Sequence, residues 1–258
     1  MARLERLSIF PVKSLDGVDV ASSRILEGGT LQYDREYAFY DERGEVVNGT
    51  RKPVVHELRT EFDFETGQLV VETDASERQL FDLAAEPSRA EAWFGTVFDK
   101  NVELRRDRTV GYVDRRDMGP SVISTATIEA VAEWFDELTI DGVRRRLRAN
   151  IEVSGVPAFW EDRFVGESAP AFTIGDVRFE GVTPCGRCVV PQRDPDTGER
   201  TEDFQERFVR NRRKTFPEWA DPDAFDHWNQ LMIITQIPEV DRGRTIDVGD
   251  PVSVDERQ

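Results

Sequence analysis

Two cysteines, two histidines, three methionines and four lysines are all that these 258 residues hold of each type. So few thiols exclude a disulfide-dense scaffold. A closed tetrahedral zinc site would need both cysteines and two further ligands, and no second CxxC and no HxxxH pair supplies them. By the same count, four-cysteine ligation of an iron–sulfur cluster is out of reach. No G-x-G-x-x-G run marks a nucleotide loop. Long apolar runs are also missing, none approaching the roughly 18 to 20 residues that span a bilayer. The opening MARLERLSIFPVKS lacks the basic start, apolar middle and cleavage site of a secretory signal. A cytoplasmic protein with no membrane partner is expected.

Charge is abundant but lopsided. There are 51 acidic residues against 34 basic ones, a formal net charge of −17, and all basic residues except Lys13, Lys52, Lys100 and Lys214 are arginines. Nucleic acid is therefore excluded as a partner, because phosphate backbones are bound mainly by cations. An acidic, lysine-poor surface suits concentrated salt, where screening removes self-repulsion, so a halophilic origin is inferred. The 38% hydrophobic content is enough for a sizeable core.

The first hundred residues read as short strands and tight turns. RLERLSIFPV alternates and stops at Pro11, REYAFYDERGEVVNG turns at DERG, and RTEFDFETGQLVVET turns at ETGQ. AEAWFGTVF reads as a helix before the strand-like NVELRR. Beyond an arginine-rich stretch near residues 105 to 120, the period changes. Ile128, Val131, Phe135 and Leu138 recur at spacings of three and four, with Ser124 or Thr125 as cap, predicting a helix after a short strand. RRRLRANIEVSG, FTIGDVRFEGV, CVVPQ, LMIITQIPEV and TIDVGDPVSV read as strands, and residues 202 to 213 as a polar helix carrying Phe204 and Phe208. These elements predict an α+β protein, predominantly β, with a barrel-like sheet and a few helices. Two domains are expected, 1–110 and 111–258.

Both cysteines fall in TPCGRCVVPQRDPDTGE, residues 183 to 199. A thioredoxin-like dithiol opens a helix, whereas VVPQRDPDTG brings β-branched residues, prolines and a turn. The Asp194-Pro195-Asp196-Thr197-Gly198 run has its glycine one place too early for a calcium loop and Gln205 where the closing glutamate belongs, so it reads as a turn. Two readings stay open, inert buried thiols or a ligand. Arg187, directly before Cys188, favours a thiolate there, the form that binds soft metals.

TPCGRCVVPQRDPDTGE resembles the signature of the MOSC domain, in which a cysteine preceded by arginine is followed by an Asp-Pro-Asp-Thr-Gly turn. FPVKSLDG and YDREYAFYDERGEVV resemble the β-barrel domain that precedes MOSC in molybdenum cofactor sulfurases and in the mitochondrial amidoxime reducing component. RANIEVSG and the terminal VGDPVSV resemble further family strands, in the right order. The resemblance implies an N-terminal β-barrel domain followed by a MOSC β-barrel domain, and a molybdenum cofactor. It implies Cys188 as the protein ligand of the metal, with Cys185 as a packing neighbour. It further implies that Lys13, Ser14, Arg35, Arg148, Asn150 and Arg187 hold the pterin and its phosphate. Gly186 stands where relatives often carry serine, leaving only its backbone N–H.

The activity so implied is reduction of N-hydroxylated, amidoxime-type small molecules. Electrons would come from a separate ferredoxin or cytochrome-type donor, since this chain lacks both a cysteine set and a nucleotide loop. The alternative is a cofactor carrier or a sulfur-transfer protein working through a persulfide. No pyridoxal-phosphate desulfurase domain is present for a complete sulfurase, so the expected chemistry is independent of that cofactor.

Overall fold

The computed structural model describes residues 1–73 and 76–255. Short strands open the chain: β1 (Arg3–Ile9), β2 (Val18–Asp19), β3 (Ser22–Arg24) and β4 (Tyr37–Asp41). After a 3-10 turn come β5 (Arg59–Asp63), β6 (Gln68–Thr73) and β7 (Ser76–Asp82), then helix α1 (Pro87–Phe98) and β8 (Val102–Arg106). β9 (Ser121–Ser124) leads into α2 (Thr125–Glu133) and α3 (Ile140–Leu147), followed by β10 (Ile151–Ser154), β11 (Phe172–Ile174) and β12 (Val177–Gly186). Last come α4 (Phe204–Lys214), β13 (Gln230–Gln236), β14 (Thr245–Asp247) and β15 (Val252–Val254). The predominantly β, α+β reading holds.

The main sheet has eight strands in the order β15-β11-β12-β13-β9-β10-β1-β2. Its β9–β10 pair is parallel, which requires the crossover that α2 and α3 provide. The sheet separates two cores: alternation on β9 sends Val122 into one cluster and Ile123 into the other, while on β13 Leu231 and Ile233 part because Met232 between them has a left-handed φ of 57°. Helices α2, α3 and α4 cover the second face with Val131, Leu147 and Phe208. A third cluster, built on Phe39, Phe81, Phe94 and Phe98, fills the space between α1 and strands β4 to β8. Although β1 lies at the start of the chain, it pairs with β10, and β3 pairs with β14.

The cysteine segment is aimed by β12. That strand pairs with β13 through two irregularities, one between Gly181 and Thr183 and one between Pro184 and Gly186. Such bulges bend a strand and re-aim the side chains beyond them. The first requires glycine, because a Cβ at Gly181 would lie 2.0 Å from the Phe164 carbonyl oxygen.

Three sequence expectations are corrected. RRRLR is not strand but the last turn of α3: Thr139 caps it, accepting from the Gly142 amide at 3.0 Å, and Val143 and Leu147 bury one side. Its arginines sit where cations complement the carbonyl end of a helix. CVVPQ is not strand either, since Pro191 cannot donate to a ladder, and Val190–Gln192 form a 3-10 turn. Finally, α2 stops at Glu133, so Phe135 and Leu138 lie beyond it, although Phe135 is still buried in the same core. The expected cap is there, with the Thr127 amide donating to Ser124 Oγ at 3.1 Å.

Candidate functional site

The chain leaving β1 runs along a cavity of about 460 Å³. Lys13 and Ser14 come from that segment, Arg35 from just before β4, Arg148 and Asn150 from the link between α3 and β10, and Gly186, Arg187 and Cys188 from the end of β12. All eight residues singled out in the sequence border this one space. The backbone around it is strained: Ser14, Arg35, Arg148 and Met232 have φ of 79°, 51°, 57° and 57°. Left-handed geometry is uncommon for non-glycine residues and gathers where surrounding structure enforces it.

Two arginines share one ring. The guanidinium of Arg35 lies 4.7 Å from the centre of Phe10, and that of Arg148 lies 4.2 Å from it. Arg35 also pairs with Asp34, whose other oxygen accepts from the Phe10 amide at 2.9 Å. Arg148 donates to the Leu15 carbonyl at 2.7 Å, tying the end of α3 to the N-terminal segment. Burial lowers the Arg148 guanidinium to about 10, and Arg35 pushes the same way against Asp16, Asp34 and Asp114. It remains a cation at neutral pH. Lys13 Nζ donates to the Tyr112 carbonyl at 2.7 Å and pairs with Asp114. Ser14 Oγ donates to the Val47 carbonyl at 3.2 Å.

Asn150 is a brace. Its Oδ1 accepts from the Ser121 hydroxyl at 3.1 Å and its Nδ2 donates to the Ser8 carbonyl at 3.2 Å, linking β9, β10 and β1. The side chain is buried and engaged on both sides. Gly186 has room for a side chain, since a Cβ there would come no closer than 3.9 Å to the His227 ring.

The expected contact between Arg187 and Cys188 is not formed. Arg187 Nη2 donates instead to Cys185 Sγ at 2.7 Å, and its Nη1 to the Leu147 carbonyl at 3.1 Å. In extended chain, residues two apart share a face and adjacent ones do not. Arg187 therefore sides with Cys185, which packs against the helical core, while Cys188 is exposed. Cys188 Sγ accepts from the Val190 amide at 3.4 Å, which holds the thiol at the start of the 3-10 turn.

Several lining residues escaped sequence reading. Arg145, Arg146, Arg193 and His56 all border the cavity. Arg145 holds Asp196 through both guanidinium nitrogens, at 3.0 and 2.8 Å. Arg146, 5% exposed, donates to the carbonyls of Pro191 and Arg193 and to Asp194, so α3 clamps the 191–196 segment. The run of arginines leading to Arg148 was the available signal. Burial pushes His56 down, reinforced by Arg193 and Arg148, so it is neutral at pH 7.

The residues suit an anionic guest. The Nε atoms of Arg146, Arg187 and Arg193 and the Nε2 of His56 are buried without a hydrogen-bond partner, and all four side chains line the cavity. Unpartnered buried polar nitrogens cost free energy that a phosphate or a heterocycle bearing acceptors would offset. Among the described residues, no three His, Cys, Asp or Glu side chains gather to hold a metal. A single thiol at Cys188 thus suits a metal that brings its other ligands with it.

Residues 1–140 match the MOSC N-terminal beta barrel domain and residues 117–253 the MOSC domain. The chain is similar to a molybdenum cofactor sulfurase of Oryza sativa subsp. japonica, 25% identical over 244 residues, covering 76% of this chain and 29% of that protein. It is also similar to mitochondrial amidoxime-reducing component 1 of Homo sapiens, 30% identical over 105 residues, covering 41% of this chain and 28% of that one. The matches thus span less than a third of either relative's length. Among solved structures, YiiM from Geobacillus stearothermophilus aligns with a TM-score of 0.37 and 13% identity, over 60% of this chain and 68% of that one. With both domain matches each covering more than half its residues, this chain belongs to the MOSC family.

Proposed function

We propose that the cavity beside Cys188 binds the molybdenum cofactor and that the loaded protein reduces N-hydroxylated, amidoxime-type small molecules. The supporting observation is the pairing of an exposed thiol with a cavity rich in cations and unpartnered buried nitrogens, on a chain of net charge −17. When bound, the cofactor supplies two-electron redox chemistry at molybdenum. Cys188 Sγ is the protein ligand of the metal. Lys13, Ser14, Arg35, Arg148 and Arg187 would together hold the pterin and its phosphate, for which Lys13 must be shared with Asp114. Asn150 would brace the strands that carry these groups, and Gly186 would leave room in the cavity. Overall, the N–OH group takes up two electrons and two protons, its N–O bond breaks, and N–H and water are formed. The electrons come from a separate carrier protein.

A second reading, a cofactor carrier or sulfur-transfer protein, is favoured by the wider coverage of the sulfurase match and by the exposure of Cys188. One experiment separates the two. The protein is purified from a host that makes the cofactor, its molybdenum content is measured, and reduction of benzamidoxime is followed with an artificial electron donor. Metal with turnover supports the reductase, whereas metal without turnover supports the carrier. Cys188→Ser is expected to lose the metal while keeping the fold, and full metal content in that variant overturns the ligand assignment.

A further inference from the structure

Helix α4 turns Phe204, Phe208 and Arg212 inward at a spacing of four. Arg212 is fully buried and fixed, donating to Asp162 at 2.7 Å and to the Gln230 carbonyl at 3.1 Å, so the helix cannot roll. At 3.6 residues per turn the opposite face carries Glu206, Arg210, Arg213 and Lys214. Arg210, Arg213 and Lys214 are exposed, and none of the three forms an ion pair among the described residues. Elsewhere some exposed arginines are paired, Arg78 with Glu61, Arg89 with Glu86 and Arg105 with Glu103, while Arg43, Arg115 and Arg200 stand singly without an ion pair among the described residues. Basic residues in a last turn do complement the helix dipole. What sets α4 apart is the clustering of three such cations within five positions of one helix, on a chain with 51 acidic residues.

The helix is also fastened to the cysteine segment. Gln192, in the turn after Cys188, donates to Gln205 Oε1 at 3.3 Å. Phe204 and Phe208 pack in the cluster that Cys185 borders. The carbonyl that Arg212 holds belongs to Gln230, the residue opposite Gly186 across the β12–β13 pair. From Gln205 to Arg213 the helix rises about 12 Å. A protein seated on its outer face is therefore carried by a helix tied directly to the turn that follows Cys188.

We propose that the outer face of α4 is the docking surface for an acidic electron-carrier protein. This rests on the reductase reading, which requires an outside source of two electrons, delivered singly as the carrier's iron–sulfur centre is oxidised. The unpaired cations set the carrier's orientation at contact. Repulsion between two acidic molecules acts at longer range and fades as the Debye length shortens with salt.

The test uses the cofactor-loaded protein and a plant-type [2Fe–2S] ferredoxin as probe, at about 0.5 M salt so that long-range repulsion is screened. Wild type is compared with Arg210→Glu/Arg213→Glu/Lys214→Glu and with the corresponding triple Gln variant, which keeps good helix formers. Calorimetry is expected to show the Kd weakened about tenfold or more by the Glu variant and less by the Gln variant. The KM for ferredoxin in benzamidoxime reduction rises in parallel, while the rate with reduced methyl viologen is unchanged. Equal Kd and KM in all three proteins overturn the docking surface, as does a wild type that does not bind ferredoxin. Absence of viologen-driven turnover in all three overturns the reductase reading instead, and the calorimetry still decides the surface.

Discussion

Glu161 offers a test of the folded electrostatics that needs no cofactor. It is fully buried, its Oε2 accepting from the Ser124 amide at 3.2 Å and its Oε1 without a partner. Burial, reinforced by the adjoining Asp162 carboxyl, pushes its carboxyl up to about 8. Arg212 opposes the rise at Asp162, so Asp162 is the ionised member of the pair and Glu161 the protonated one at neutral pH. The unfolded chain ionises this carboxyl in the usual range near 4.5, so folding takes up a proton. Stability is then unpenalised at acid pH and falls as pH rises toward 8. At ~1.4 kcal/mol per unit, the loss between about pH 5 and pH 8 is roughly 3 kcal/mol. Glu161→Gln keeps the acceptor toward Ser124 and removes the titration. Urea unfolding of both proteins across that range should show their difference moving by this amount in favour of the variant. A difference that stays constant with pH refutes the protonated Glu161.

Two further outcomes concern buried arginines. Arg212→Met leaves Asp162 buried without its cation and should lower stability by about 3 to 5 kcal/mol, measured by chemical denaturation, while the Arg212→Met/Asp162→Asn double variant recovers part of the loss. Arg146→Met removes the donor that holds three acceptors of the 191–194 segment. Its Cys188 thiol should react faster with Ellman's reagent than in wild type at unchanged far-UV circular dichroism, and an identical rate would show that Arg146 does not restrain the segment.

Local signals were legible and long-range ones were not. The Ser124 cap and the three-and-four spacing of Ile128 and Val131 marked α2 because both are properties of a few adjacent residues. The hairpin joining β5 and β6 was readable for the same reason. RRRLR hid a helix, since its arginines obscured the spacing of Val143 and Leu147 and its cap lies at Thr139. In the site, the identities of Lys13, Arg148 and Cys188 were accessible through a resemblance, but not what each touches. Arg187 turning to Cys185 depends on the chain staying extended past the end of β12, and Asn150 serving as a brace depends on Ser8 and Ser121 arriving from distant strands. His56 and Arg193 gave no sign, because their place in the cavity wall comes from folding alone.

The position of β1 bears on how the chain is made. During synthesis Leu4 emerges about a hundred and fifty residues before its neighbour Val153. Strand β2 follows soon and pairs with Ser8 and Ile9, but the part of β1 that carries the fully buried Leu4 and Leu7 has its register partners on β10. Arg3, Glu5 and Arg6 place charge along the same strand, which disfavours edge-to-edge pairing between copies while that edge is open.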